Sequence, residues 1–274
     1  MACTLRQLQL AEYNVLCVLQ DICTQHGLHF VLSSGTALGA VRHDGFIPWD
    51  DDVDCIMPFK DYKKLKKIFK KHHNTIRGVS LCDFETDVQT PHCLPKLRLN
   101  GSYMPEPPAE GVQIHNGVWV DIFVFCYLAK QPKLQSVQEL LFQNIVLAHK
   151  KYKNRYRMAQ GDRRYMDKPM CRLCDKLPDF WRVRLIRLMQ NLMARLGSRK
   201  SGKALRMSSY IKRDRIIDRT AIFESVPHRF EDRVFPIPKQ YDAYLRLLYG
   251  DDYMTPVQYN QHTNLDDVVL PETT

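Results

Sequence analysis

The stretch VLSSGTALGAVRHDGFIPWDDDVDCIMP, Val31 to Pro58, decides how this chain is read. A short apolar run from Leu28 leads into small residues at Ser33, Ser34 and Gly35. A compact segment then carries Arg42 and His43 to an acidic cluster at Asp50, Asp51, Asp52 and Asp54. Val53, Cys55 and Met57 alternate with Asp52, Asp54 and Ile56, a strand-like spacing that sends the carboxylates of Asp52 and Asp54 from one face. Two like charges so close repel unless a cation lies between them. Mg²⁺ suits such a pair, because it takes oxygen ligands and binds through one or two carboxylates plus waters and substrate phosphates. An acidic run of this kind is also the composition of a solvated loop. Asp50, Asp52, Asp54 and Asp61 further fall at positions one, three, five and twelve of a calcium-binding loop. That reading fails in detail, since Cys55 stands where the loop needs glycine, position twelve is Asp and not Glu, and Pro48-Trp49 precedes it where a helix should end.

Two further stretches belong with it: GVWVDIFVF at Gly117 to Phe125 and FPIPKQYDAYLRLLYGDDYMTP at Phe235 to Pro256. Together with SGTALGAVRHDGFIPWDDDVDCIMP they resemble the signature of the LicD family. That family comprises phosphorylcholine transferases of bacterial surface glycans, with the animal fukutin-related ribitol-phosphate transferases among its relatives. The likeness covers both ends of the chain and leaves Ala129 to about Thr220 weakly matched. It implies a nucleotidyltransferase-type fold, in which a Gly-Ser or Gly-Gly turn lets backbone approach a phosphate and opens a helix whose N-terminal amides favour anions. This chain replaces one glycine of that pair by Ser34, keeps Gly35, and offers Ser34 or Thr36 as a hydroxyl donor. Arg42 and His43 match the family's Arg-His pair and suit a diphosphate chemically, Arg through bidentate contacts and His as a donor or proton shuttle.

Trp119, Asp121, Phe123 and Phe125 share one face of the second stretch, and an aspartate among large apolar residues is costly to bury without a partner. A metal held by Asp52 and Asp54 would be one. The resemblance implies the same triad, with Asp121 as third ligand, as the base that takes the proton of an attacking hydroxyl, or as both. Lys96 and Arg98 leave one face of a strand expected from Leu94 to Leu99, before an Asn100-Gly101 turn, where they would either hold substrate phosphates or form structural ion pairs. Another strand is expected over Val79 to Phe84.

Around these motifs, the 274 residues, 45% of them hydrophobic, suffice for a sizeable core. Thr4 and Gln7 make a capping box, and Leu5, Leu8, Val15, Leu19, Ile22 and Cys23 recur at helical spacing until Gly27, the pattern of a packing helix with no chemistry of its own. Arg6, Gln7, Gln9, Glu12 and Asn14 break the first apolar stretch, so no signal peptide is expected. No apolar run is long enough to cross a bilayer. Nine scattered cysteines suit free thiols. These features point to the cytoplasm or the inner face of its membrane. The lysines of DYKKLKKIFKKHH, Asp61 to His73, read as the solvated side of a helix. Lys150 to Arg219 holds 22 Lys plus Arg against 6 Asp, whereas the rest of the chain is net acidic. Within it Trp181, Leu185, Leu188, Leu192 and Leu196 are interspersed with arginines, which fits a packed helix with a basic outer side or an amphipathic helix on an anionic membrane. No nucleic-acid-binding signature accompanies that charge, and the Cys171-Cys174 pair lacks a second pair at zinc spacing. Tyr241, Tyr244, Leu245 and Leu248 form the inward face of a helix stopped by Gly250. Their aromatics suit core packing or the stacking of a base or a choline. His262 stands near a family histidine.

The expected fold is α/β, or α+β: a nucleotidyltransferase-like mixed sheet flanked by helices, with a helical, basic C-terminal half. Residues 1–128 would form the catalytic core and 129–274 a helical region completing it on the acceptor or membrane side, whether as two units or one continuous domain. The resemblance implies a phosphotransferase using Mg²⁺, or Mn²⁺ in its place, that moves choline phosphate from CDP-choline to a sugar hydroxyl of a lipopolysaccharide or teichoic acid precursor, releasing CMP. The alternatives are transfer of ribitol phosphate, glycerol phosphate or a nucleotide, or a non-catalytic glycan-binding module at a membrane surface.

Overall fold

The structure, a computed structural model, describes residues 3–106, 111–159, 168–208, 215–258 and 263–271; His262 lies outside them. Thr4 caps the first helix, α1 (Leu5–His26): its hydroxyl accepts from the Gln7 amide while the Gln7 side chain accepts from the Thr4 amide at 2.9 Å. Gly27, in the left-handed region at φ 58°, ends it. The chain continues through β1 (Val31–Leu32), α2 (Ser34–His43), β2 (Asp54–Pro58), α3 (Phe59–Lys71), β3 (Thr75–Ile76), β4 (Val79–Cys82), β5 (Lys96–Leu99) and β6 (Trp119–Tyr127). These strands form a mixed sheet in the order β1-β2-β6-β5-β4-β3, in which β2 runs parallel to β6 and the other neighbours are antiparallel. β2 is buried along its whole length, as a strand covered on both faces must be.

The strands begin and end where local chemistry dictates. β2 starts at Asp54, so Asp52 lies in the lead-in and not on the strand itself. β4 stops at Cys82 because the Asp83 carboxylate accepts from the amides of Glu85 at 2.7 Å and Thr86 at 3.3 Å, making a turn. β5 starts after Pro95, which has no amide to donate to a ladder. In α3, Tyr62, Leu65 and Phe69 are buried, while Lys60, Lys63, Lys64, Lys67, Lys70 and Lys71 are exposed.

Beyond β6 the chain forms α4 (Pro132–His149), α5 (Lys151–Ala159), α6 (Pro169–Lys176) and α7 (Asp179–Leu196). It then returns to the sheet. β7 (Lys203–Arg206) pairs antiparallel with the C-terminal end of β6, and β8 (Ile216–Asp218) pairs with β7. The second half thus contributes strands as well as helices to the core. α7 packs on α4 and β6, and its buried Arg182 donates to Ala148 O at 3.3 Å and to the Val88 carbonyl. After α8 (Thr220–Phe223), β9 (Ser225–Phe230) and β10 (Arg233–Pro238) form a hairpin that packs on β1 and α2, and α9 (Tyr241–Tyr249) follows. All nine cysteines are free.

Candidate functional site

The site is built where β1 turns into α2 beside the start of β2. Ser34 holds φ at 46°, a conformation uncommon for a residue with a Cβ. The turn is tied to β2 twice: the Ser33 amide donates to Asp54 O at 3.0 Å, and the Asp54 amide donates to Thr36 Oγ1 at 2.8 Å. Tyr244 of α9 holds it from the other side, its hydroxyl 2.8 Å from Ser33 Oγ and accepting from the Ser34 amide at 3.4 Å. At Gly35 a Cβ would stand 2.6 Å from Asp50 Oδ2, so the acidic loop approaches the helix start as closely as glycine allows. Gln9 of α1 fixes that loop from behind, donating to Ile47 O at 3.3 Å and Asp50 O at 2.9 Å. The N-terminus of α2, with its outward amides, therefore lies beside a cluster of carboxylates.

Register aligns the rest. Asp54 on β2 is the Cα partner of Asp121 on β6, which is in turn the partner of Lys96 on β5, so the three stand in one row across the sheet. Lys96 Nζ lies 2.7 Å from Asp121 Oδ1 and 3.4 Å from Glu106 Oε1, over the Trp119 ring. Arg98 is buried, with Nη2 2.6 Å from Glu106 Oε2 and Nη1 donating to Gly117 O at 3.0 Å. Burial pushes the Glu106 carboxyl up, but Lys96, Arg98 and His92 overcome it and hold it at about 2.

The acids themselves behave differently. Burial raises Asp52 well above the usual carboxylate range, and the charges of Asp54, Asp50, Asp121 and Asp51 add to it. Asp54 is pushed up to about 7 by burial and by Asp121, against a hydrogen bond from Ser34 and the charge of Arg206. Burial also raises Asp121, against the pull of Lys96. This is a negative cluster without enough positive charge to balance it. Its fit to a divalent cation can be judged from the donors: Asp52 is partly exposed and Asp54 buried, two residues apart, with all-oxygen chemistry. Among the described residues no three His, Cys, Asp or Glu side chains already gather as a metal centre. A pair of carboxylates left to be completed by water and substrate phosphate is the arrangement Mg²⁺ takes, so the residues fit it.

Not every expected residue comes to this place. Ser34, Gly35, Thr36, Asp52, Asp54, Asp121 and Lys96 do, whereas Arg98 faces Glu106 behind Lys96. Arg42 and His43 lie at the other end of α2, ten residues long and thus about 15 Å from end to end. There Arg42 Nη1 donates to Tyr253 O at 2.9 Å and Nε to His43 Nε2 at 3.0 Å, which fastens the C-terminal segment.

Three residues enter that the sequence reading did not assign to the site. Glu12, on the buried side of α1, is 0% exposed, and neither carboxylate oxygen has a partner. Burial raises it well above the usual range, and the charges of Asp52, Asp51, Asp50 and Asp121 raise it further. Its signal was present in the sequence as an acid four residues after Leu8 and three before Val15, on an apolar face. Arg206 of β7 is buried over the Phe123 ring, with Cζ 4.4 Å from the centroid, and its charge reaches Asp54. Nothing in its local sequence marks it. Tyr244 was legible as an inward residue, but its bond to the turn was not.

Comparison with known proteins bears on this same segment. Residues 27–96 match the family model described as LicD/FKTN/FKRP, nucleotidyltransferase domain. Over 264 residues, 94% of this chain and 94% of the relative, the chain is 25% identical to lipopolysaccharide cholinephosphotransferase LicD of Haemophilus influenzae. Shorter matches reach uncharacterized proteins of Rickettsia prowazekii, 37% identical over 59 residues and 22% of each chain, and of Rickettsia typhi, 42% identical over 52 residues, 19% of this chain and 17% of that one. The family model thus falls on the turn, the acidic loop and β2, and the likeness to a LicD cholinephosphotransferase runs through nearly the whole chain.

Proposed function

We propose that this protein transfers choline phosphate from CDP-choline to a sugar hydroxyl of a surface-glycan precursor, with release of CMP. The observation that carries the reading is the uncompensated pair Asp52 and Asp54, raised by burial and by neighbouring carboxylates, beside the N-terminus of α2. The likeness to the Haemophilus cholinephosphotransferase supports choline phosphate as the group moved and lipopolysaccharide as the acceptor class. In the reaction an oxygen of the acceptor bonds to the phosphorus of choline phosphate, the bond from that phosphorus to CMP breaks, and the hydroxyl proton leaves to a base.

Asp52 and Asp54 would hold Mg²⁺. When bound, the ion neutralises the donor's diphosphate and the charge gathering on CMP. The amides that open α2 take phosphate oxygens, and the bonds that tie the turn to Tyr244 and Asp54 keep it from rearranging. Asp121 is the candidate base: it is partly exposed, its carboxyl is raised by burial, and Lys96 fixes its direction. Lys96 also supplies positive charge at that edge. Little covalent work falls to the protein, so positioning and charge do most of it.

The test is a release assay with purified protein, Mg²⁺, a glycolipid acceptor and a panel of CDP-choline, CDP-ribitol and CDP-glycerol, scored for CMP and for the group left on the acceptor. Acceptor-dependent CMP release from CDP-choline, abolished by EDTA, is expected. Asp52→Asn and Asp54→Asn should each lower it beyond the ~10–100-fold that follows loss of an outer-shell partner of a metal site, with melting behaviour retained. Turnover of another donor would rename the group transferred, and a nucleotide left on the acceptor would establish nucleotidyl transfer instead. No turnover of any donor, with an acceptor proven competent by another enzyme, would defeat the reading.

A further inference from the structure

The helix α7 carries an outer face that a solvated helix has no reason to carry. Its inner side is conventional, with Ile186, Met189 and Met193 buried against the rest of the fold. Its exposed positions are large apolar residues and arginines only: Phe180 (59% exposed), Trp181 (53%), Leu188 (66%) and Leu192 (41%), with Arg184, Arg187 and Arg195 between them. No acid and no short polar residue is among them. Trp181, Arg184, Leu188, Leu192 and Arg195 follow at helical spacing along one stripe. Arg184 lies over the Phe180 ring, with Cζ 4.0 Å from its centroid, so the guanidinium and the ring present themselves together. α3 extends the basic surface sideways: Lys63 donates to Asn191 at 3.3 Å, and Lys63, Lys67 and Lys70 share a cleft of 680 Å³ with Arg187, which pairs there with Glu85 at 2.6 Å, and with Asp83.

We propose that the outer face of α7, flanked by the lysines of α3, docks the protein on an anionic phospholipid bilayer. The helix would lie in the interface plane, sinking its apolar side chains below the headgroups while the arginines meet lipid phosphates. Such a surface offers both partners at once. A nucleic acid would leave Leu188 and Leu192 without a reason. A second copy packed through this face would set arginines against arginines, with no exposed acid on α7 to receive them. No helix among the described residues is long and apolar enough to cross a membrane, and an interfacial helix has no need to. The last turn of α7, Ala194 and Arg195, lies with Pro58 and Phe125 to Tyr127, at the ends of β2 and β6 opposite the carboxylates. Substitutions on the stripe therefore leave the site described above untouched.

The test is co-sedimentation of the full chain with phosphatidylcholine vesicles containing or lacking phosphatidylglycerol. Binding is expected only to the anionic vesicles and should weaken with added salt. Tryptophan fluorescence should shift to the blue on binding, and Trp181→Phe should remove the shift. Leu188→Glu with Leu192→Glu should abolish sedimentation. Arg184→Gln and Arg195→Gln should each weaken it about fivefold, the factor given by ~1 kcal/mol per cation at an anionic surface. All five positions are exposed, so the variants should melt like the parent. Failure to bind anionic vesicles, or equal binding by the double glutamate variant, would overturn the proposal. So would a dimer in solution that the glutamate variant dissociates while vesicle binding is absent, or retention of nucleic acid in preference to vesicles.

Discussion

Glu12 shows how much a single side chain can say about a site. It is buried without a hydrogen bond, within the field of four aspartates, and burial raises its carboxyl well above the usual range. Below its ordinary titration near 4.5 both the folded and the unfolded chain hold the proton, and Glu12 exerts no electrostatic cost. As pH rises through that value the unfolded chain ionises while the folded one does not, so stability is lost with rising pH until the folded carboxyl titrates as well. Glu12→Gln keeps the shape and removes the charge. In EDTA the variant is expected to melt at the parent's temperature at pH 4 and above it at pH 8, with the gap widening as pH rises. Melting curves across that range check this. A variant that melts below its parent at pH 8 would mean that Glu12 is ionised in the fold.

At the scale of the element, α2 is held by two glycines of different kinds. A Cβ at Gly39 would meet Gly45 O at 2.5 Å and Ile47 N at 3.2 Å, backbone atoms that have nowhere to go. At Gly35 the nearest atoms it would meet are those of the Asp50 carboxylate, a side chain. Gly39→Ala should therefore cost about 1–3 kcal/mol as overpacking does, seen as a melting temperature several degrees lower. Gly35→Ala should melt closer to the parent yet displace the acidic loop, and the rise in melting temperature expected of the parent on adding Mg²⁺ should be lost. Equal melting of the two variants would contradict this division. The same helix shows what sequence reading could and could not deliver. The small-residue turn and the helix after it were legible, because Ser33 to Thr36 carry the chemistry of a tight turn before a helical run. The separation of Arg42 and His43 from that turn was not, because closeness along the chain becomes about 15 Å once ten residues coil into a helix.

Across the whole molecule, legibility follows the range of the contacts. The strands β4 and β5, the capped ends of α1 and the buried face of α3 were readable from local pattern. The parallel pairing that sets Asp54 beside Asp121 spans the intervening β3, β4 and β5; the cost of burying Asp121 and the likeness to a family pointed to their meeting, but not to the pairing that achieves it. The return of β7 to the edge of β6, which brings Arg206 over Phe123, comes from the weakly matched middle and had no local mark. That middle is joined to the sheet domain through buried polar groups as well as apolar ones, and His149 reports on the junction. It is buried on α4, its Nδ1 donates to Ile145 O at 2.7 Å, its Nε2 has no partner, and its ring stands edge-on to Phe84 beyond β4. Burial lowers it from 6.5 to about 4, and the charge of Arg182 on α7 adds to the effect. Above pH 6.5 both states hold it neutral. As pH falls from 6.5 to 4 the unfolded chain takes a proton that the fold refuses, so stability declines by on the order of 3 kcal/mol over that window and no further below it. His149→Asn keeps a donor toward Ile145 O and cannot charge. The variant should melt lower than the parent at pH 7, for the volume lost, and should approach it as the pH is taken down to 4. Parallel melting curves across the window would show that the junction does not titrate.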